Sequence, residues 1–369
     1  MKSILPRLTM FIWAAAVVIA TAPSGLAANA LAATSSTAPH PAADASTPVD
    51  RQAVQAPAVA DQRITVGDQL LLQAIAQLER RESAAARLQF RASVGGQSLS
   101  GAGSYWQQGS GDALRVRLEL RVTGQTSLLQ VSNGRFLWID RQLATGRTVN
   151  RLDLRRIRAD AARAAAKLDE LQPGQASWSP NRPGLTAYYG GLPKLLSAMS
   201  ESFTFQRPQM MRFKVESADG TQQANLPVFA VVGHWKRSQL ARILPTLGES
   251  ASDEELHRQL ALLPPRLPQE VLLLLGQADL FPYRIEYRKL VQPSPAAASG
   301  APTPYQLSTE PMVLVEFSDV SFDVPIGPGQ FDYAPPSDAR WDDLTAEHVD
   351  KTRRLRDEQL AARNREPTL

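Results

Sequence analysis

The 369-residue sequence predicts a mainly β domain with helices (α+β), in which an antiparallel sheet has one dry and one wet face. Three observations predict it. From Leu114 to Val122 every even position is apolar and every odd one charged, the period-two signature of a half-buried strand. Short strand-like runs are separated by local turn signals at Gly95-Gly96, Asn133-Gly134 and Gly146, so they pair as hairpins and form an antiparallel meander. Ahead of them Leu71, Ile75 and Leu78 recur at helical spacing, with Gln73, Gln77 and Arg81 on the other side, describing an amphipathic helix that needs an apolar surface to lie on.

The first helix opens at Thr65-Val66-Gly67-Asp68, where Thr65 serves as cap and Asp68 favours the N-terminal dipole. Strands follow over 88–94, 98–107, 114–122, 127–131, 135–140 and 148–154. An Ala-rich helix covers 160–171, a Pro- and Gly-punctuated loop runs to about Gly184, and a second helical stretch covers 192–199. Strands resume over 211–216, 227–235, 270–277, 283–289, 313–317 and 331–333. Ser252-Asp253-Glu254-Glu255 reads as a capping box, and Pro293 to Pro304 as a loose excursion between two strands. Asp342-Asp343 reads as the start of a charged helix running to about Arg363, polar nearly all round and so expected as a solvated tail.

The domain division expected is a signal peptide over 1–30, a flexible linker over 31–61, a sheet domain over 62–343 with a helical insert near 159–200, and the charged tail over 344–369. Lys2 and Arg7 precede the apolar run Met10–Ala20, which is too short to span a bilayer comfortably, and small residues offering a cleavage site follow. This predicts export to the periplasm or another extracytoplasmic space, with retention of the leader as an anchor the alternative. The Ala/Pro/Thr/Ser stretch behind it has too little apolar area to offset its ordering entropy.

The absence of cysteine excludes disulfides, zinc-thiolate sites, thiol nucleophiles and a lipidated N-terminal cysteine. The net charge of +4 includes Lys2 and Arg7, and elsewhere Arg alternates with Asp and Glu, a pattern unlike the basic stripe of a nucleic-acid binder. His40, His234, His257 and His348 show no metal-ligand spacing. There is no nucleophile elbow and no phosphate-binding loop, since Gly101-Ala102-Gly103 lacks the third glycine. No catalytic residue, metal ligand or cofactor is therefore expected, and binding is favoured over catalysis.

Three segments, in order, carry a resemblance: Gly101-Ala102-Gly103-Ser104-Tyr105-Trp106, then Asn133-Gly134-Arg135-Phe136-Leu137-Trp138, and finally Phe331-Asp332-Tyr333-Ala334-Pro335-Pro336. Together they resemble the LolA family of periplasmic outer-membrane lipoprotein carriers, over the N-terminal half of the domain and its last residues. The resemblance implies a half-open antiparallel β-barrel of roughly eleven strands, its mouth covered by α-helices. It also implies a lipid or lipoprotein acyl chain as ligand, peripheral membrane contact and a part in outer-membrane biogenesis. Under it Leu71, Ile75 and Leu78 form a lid, and Trp106, Leu129, Phe136 and Trp138 line a cavity. The sequence departs from the family where Gln107-Gln108-Gly109 replaces a Lys-Arg-Pro segment, and the domain is longer than a typical carrier. The alternative on the same scaffold is a module for interaction with an envelope protein, or for stress sensing.

Overall fold

The computed structural model describes residues 64–94, 97–123, 126–171, 190–217, 223–244, 267–289 and 311–363, with isolated positions between them. The leader, the linker, the Gly95-Gly96 turn, most of the expected capping box at 252–255 and the 293–304 excursion lie outside these residues.

Helix α1 (Val66–Arg80) starts as its sequence dictates: the Asp68 amide donates to Thr65 Oγ1 at 3.0 Å and the Thr65 amide donates to Asp68 Oδ2 at 3.2 Å. An antiparallel meander follows, comprising β1 (Ser83–Val94), β2 (Gln97–Gln108), β3 (Arg115–Val122), β4 (Thr126–Ser132), β5 (Phe136–Leu143) and β6 (Gly146–Asp153). At the β4–β5 turn Asn133 Oδ1 accepts the amides of Arg135 and Phe136, and Gly134 takes a positive φ of 87°, as the Asn-Gly pair predicts. Helices α2 (Leu154–Leu171) and α3 (Gly191–Ser202) come next, followed by β7 (Phe203–Phe205), β8 (Gln209–Glu216), β9 (Gln223–Trp235) and α4 (Arg237–Ile243). The chain then forms β10 (Glu270–Gly276), β11 (Pro282–Arg288), β12 (Val313–Phe322), β13 (Trp341–Asp343) and α5 (Thr345–Arg363).

The strands form one sheet in the order β13-β6-β5-β4-β3-β2-β1-β12-β11-β10-β9-β7, with β8 beside β9. All pairings are antiparallel except β13 with β6. Among the described residues the sheet thus has thirteen strands where about eleven were expected, and it is open, with β13 at one end and β7 and β8 at the other. The long-range step is β12 pairing with β1, from Ala84↔Phe322 to Ala92↔Val313, which joins the meander to the C-terminal strands.

One face of the sheet carries α1 and α3. The even positions of β3 point there, so Val116, Leu118, Leu120 and Val122 join one core with Phe90, Ile285 and Leu273. The N-terminus of α1 is pressed onto β7: a side chain at Gly67 would meet the Gln206 carbonyl oxygen at 2.0 Å. Here the absence of a Cβ is what allows the approach.

Two expectations are corrected. Residues 331–333 are not a strand. Pro328–Phe331 is a 3-10 turn lying over the other face, with Phe331 buried and the Gln330 carbonyl accepting from the Arg117 guanidinium at 3.1 Å. Contacts made by side chains replace the ladder that would have made it a strand. Asp342-Asp343 does not start a helix either. Those residues form β13 on the edge of β6, and Asp343 accepts the Thr345 amide at 2.9 Å, ahead of α5. The polar helix that follows docks by its first turns, where Thr345, His348 and Val349 are buried and Arg353 binds Asp160 of α2.

Candidate binding site between the helices and the sheet

Helix α1 buries Leu71, Ala74, Ile75 and Leu78, and α3 buries Leu192, Leu196 and Met199, all in the same core as the inner residues of the strands. The alternation in each strand supplies one apolar layer and the helical period supplies the facing stripe. The three residues expected as a lid are therefore brought together.

A buried polar thread crosses this apolar layer. The Leu192 amide donates to Tyr105 Oη at 3.0 Å, Tyr105 Oη donates to Gln107 Oε1 at 2.6 Å, and Gln107 Nε2 donates to the Leu78 carbonyl at 3.4 Å. It links the N-terminus of α3, strand β2 and the C-terminal turn of α1. Burial pushes the Tyr105 phenol well above its ordinary range, so it acts as a neutral donor and acceptor. Gly191 makes the contact possible, because a Cβ there would lie 2.5 Å from Tyr105 Oη. At its other end α1 is held by Asp68 Oδ1, which accepts the Phe205 amide at 2.8 Å, and by the Thr65 hydroxyl, which donates to the Phe205 carbonyl. These bonds also satisfy polar groups on the edge strand β7.

The register places the other expected cavity residues elsewhere. Trp106 pairs with Arg117, Leu129 with Glu119 and Asp140, Phe136 with Asp153, and Trp138 with Val131 and Arg151. Directly opposed residues share a face, so Trp106, Leu129, Phe136 and Trp138 lie on the side away from α1 and α3 and do not line the interior. Their companions in sequence do: Tyr105 and Gln107 flank Trp106, while Leu128, Leu137 and Ile139 belong to the inner core. Tyr105 and Gln107 were missed by sequence reasoning. The signal that finds them is the strict parity of β3, carried across the β2–β3 pairing in which Tyr105 opposes Leu118 and Gln107 opposes Val116.

The opposite face is ordered by charge and aromatic contact. Arg151 lies over the rings of Phe136 at 4.9 Å and Trp341 at 4.6 Å, and Trp138 meets Tyr333 and Trp341 with centroids 5.5 and 5.4 Å apart. Burial alone would raise the Asp140 carboxyl, but hydrogen bonds from Arg147 and from the Tyr333 hydroxyl outweigh it and hold the group below its ordinary range. Across β10–β12, buried Glu286 is bound by Arg284 and Arg288, and Arg284 also reaches Glu316 at 2.8 Å. Burial raises the Glu270 carboxyl against the pull of Arg288, whose guanidinium is 3.7 Å away. An open cleft of about 410 Å³ lies on this face beside Gln89, Arg91, Ala102 and Arg121.

No family model matches the chain, and no curated protein matches it. Solved structures similar to it include a DUF1329 family protein from Desulfovibrio piger, 11% identical with a TM-score of 0.29, matched over 72% of this chain and 96% of that one. A second is a putative outer membrane lipoprotein-sorting protein domain from Vibrio parahaemolyticus, 10% identical, TM-score 0.28, covering 72% and 96%. A third is a LolA superfamily protein from Nitrosomonas europaea, 12% identical, TM-score 0.25, covering 73% and 99%. Among the described residues no helix is long and apolar enough to cross a membrane.

Proposed function

We propose that this chain is an extracytoplasmic, non-enzymatic binding protein that accommodates an acyl chain of a lipid or lipoprotein between α1, α3 and the sheet, with Leu71, Ile75 and Leu78 as the displaceable lid. The observation that carries the reading is the apolar stripe of α1 laid on the apolar face of an open sheet, with its side-chain hydrogen bonds to the rest of the fold, among the described residues, near its two ends, at Thr65 and Asp68 and at the Leu78 carbonyl. Burying three such side chains is worth about 1.5–3 kcal/mol each, and a buried methylene about 0.8 kcal/mol. An acyl chain of ordinary length therefore matches what α1 gives up when it lifts. The apolar run at Met10–Ala20 supports an extracytoplasmic place of action.

The experiment is mass spectrometry of organic extracts of protein purified from the cell envelope, with displacement of a fluorescent fatty acid. Co-purifying lipid and a saturable, displaceable signal are expected, and the signal should be weakened by Ile75→Asp. Protein that is reproducibly lipid-free and leaves the probe unbound would overturn the reading.

A further inference from the structure

Six large apolar side chains stand out as exposed among the described residues, and five of them, Ile64, Val66, Leu72, Met210 and Met211, belong to two segments. The exposures of Ile64, Val66 and Met210 are 61%, 57% and 77%. The fold brings these segments together: the Thr65 hydroxyl bonds the Phe205 carbonyl, and Gly67 sits against Gln206, four residues before Met210. Met210 lies on the helix-covered side, where it pairs with Phe229. Ile64, Val66 and Met210 thus gather at the α1 end of β7 and β8, the open end of the sheet, while Met211, opposed to Val228, faces the other side.

The exposed charges of these segments are mostly positive. Arg207, Arg212 and Lys214 are exposed in the same stretch. The acidic residues of segments 64–73 and 206–216 are Asp68, engaged in the cap of α1, and Glu216, 3.9 Å from Lys214. Exposed apolar groups rimmed by cations fit the boundary between anionic headgroups and acyl chains. Methionine suits it further, being flexible enough to adapt to an irregular surface. The patch also lies where the chain enters the domain from the segment bearing the apolar run Met10–Ala20.

We infer that this end of the molecule, formed by Ile64, Val66 and Met210 with Arg207 and Arg212, docks peripherally on an anionic bilayer surface. Docking there sets the α1 edge of the sheet against the lipid. The inference stands apart from acyl-chain binding in the interior, and either holds without the other.

The lack of cysteine allows a single thiol to be placed at will. Full-length Met210→Cys carrying an environment-sensitive fluorophore is mixed with phosphatidylglycerol vesicles, with Thr145→Cys in the distant β5–β6 turn as control. A blue shift and severalfold brightening are expected at 210 and not at 145, with little response to phosphatidylcholine vesicles. Arg207→Ser with Arg212→Ser should weaken vesicle binding roughly tenfold or more, and raised salt should do the same. An unchanged probe at 210 on protein that sediments with vesicles would overturn the inference. So would an equal response at 145, or a response at 210 that depends on protein concentration alone and marks pairing with a second copy.

Discussion

The two faces of the sheet are made by the same strands and differ in almost everything else. On the face under α1 and α3 the core is apolar and buried, crossed by the thread of Tyr105 and Gln107. On the other, neighbouring residues of those strands form arginine–carboxylate rows, and the segment that ends in β13 brings the Gln330 carbonyl onto Arg117 and Tyr333 and Trp341 against Trp138. The lesson concerns how each face is held. The first depends on apolar area and is sensitive to any void; the second depends on paired charges and stacked rings, each contributing little when water is near.

The largest expected effect separates the faces directly. Leu78→Ala on α1 should destabilise the protein by about 2–5 kcal/mol, whereas Leu129→Ala, half-buried on the other face, should cost about 1 kcal/mol or less. Urea denaturation followed by circular dichroism measures both, and equal losses would erase the distinction. Next comes the polar thread. Tyr105→Phe leaves the Leu192 amide and Gln107 Oε1 without their partner, at a cost of about 1–3 kcal/mol, despite adding no void of note. Pairing it with Gln107→Leu should cost less than the two single changes added together, which a double-mutant cycle tests.

A third prediction concerns pH and the edge beyond β6. Burial, assisted by the charge of Lys351, lowers His348 from 6.5 to about 4. A folded-state value below the unfolded one means that the unfolded chain binds the extra proton first. The contribution of His348 is therefore present above about pH 6.5 and is lost as pH falls toward 4. Loosening of α5 should follow, read as smaller amide-exchange protection factors at Val349 and Thr352, each normalised to the intrinsic rate at its pH, near pH 4.5 than at pH 7, and His348→Gln should flatten that difference. The smallest effect is expected from Arg151→Gln, which removes the cation from the Phe136 and Trp341 rings and the ion pair to Asp343. It should cost about 1 kcal/mol, and a shift in tryptophan emission should accompany it.

The amphipathic stripe of α1, the cap at Thr65, the hairpin at Asn133-Gly134 and the alternation in β3 were all legible in the sequence, because each is fixed by the conformational preferences of a few neighbouring residues. From them the antiparallel, helix-covered sheet followed, and so did the burial of Leu71, Ile75 and Leu78. The faces of Trp106, Leu129, Phe136 and Trp138 were not legible in the same way. A short strand with apolar residues on both sides does not declare which one faces the helices, and a shift of one residue exchanges them. Only the pairing of β2 with β3 and of β4 with β5 settled it, turning Tyr105 and Gln107 inward and the tryptophans outward. The joining of β1 to β12 across more than two hundred residues, the parallel seat of β13 on β6 and the gathering of Ile64 with Met210 were likewise decided by tertiary structure. Local sequence sets what each segment is; which segments meet depends on burying the apolar faces of all of them at once.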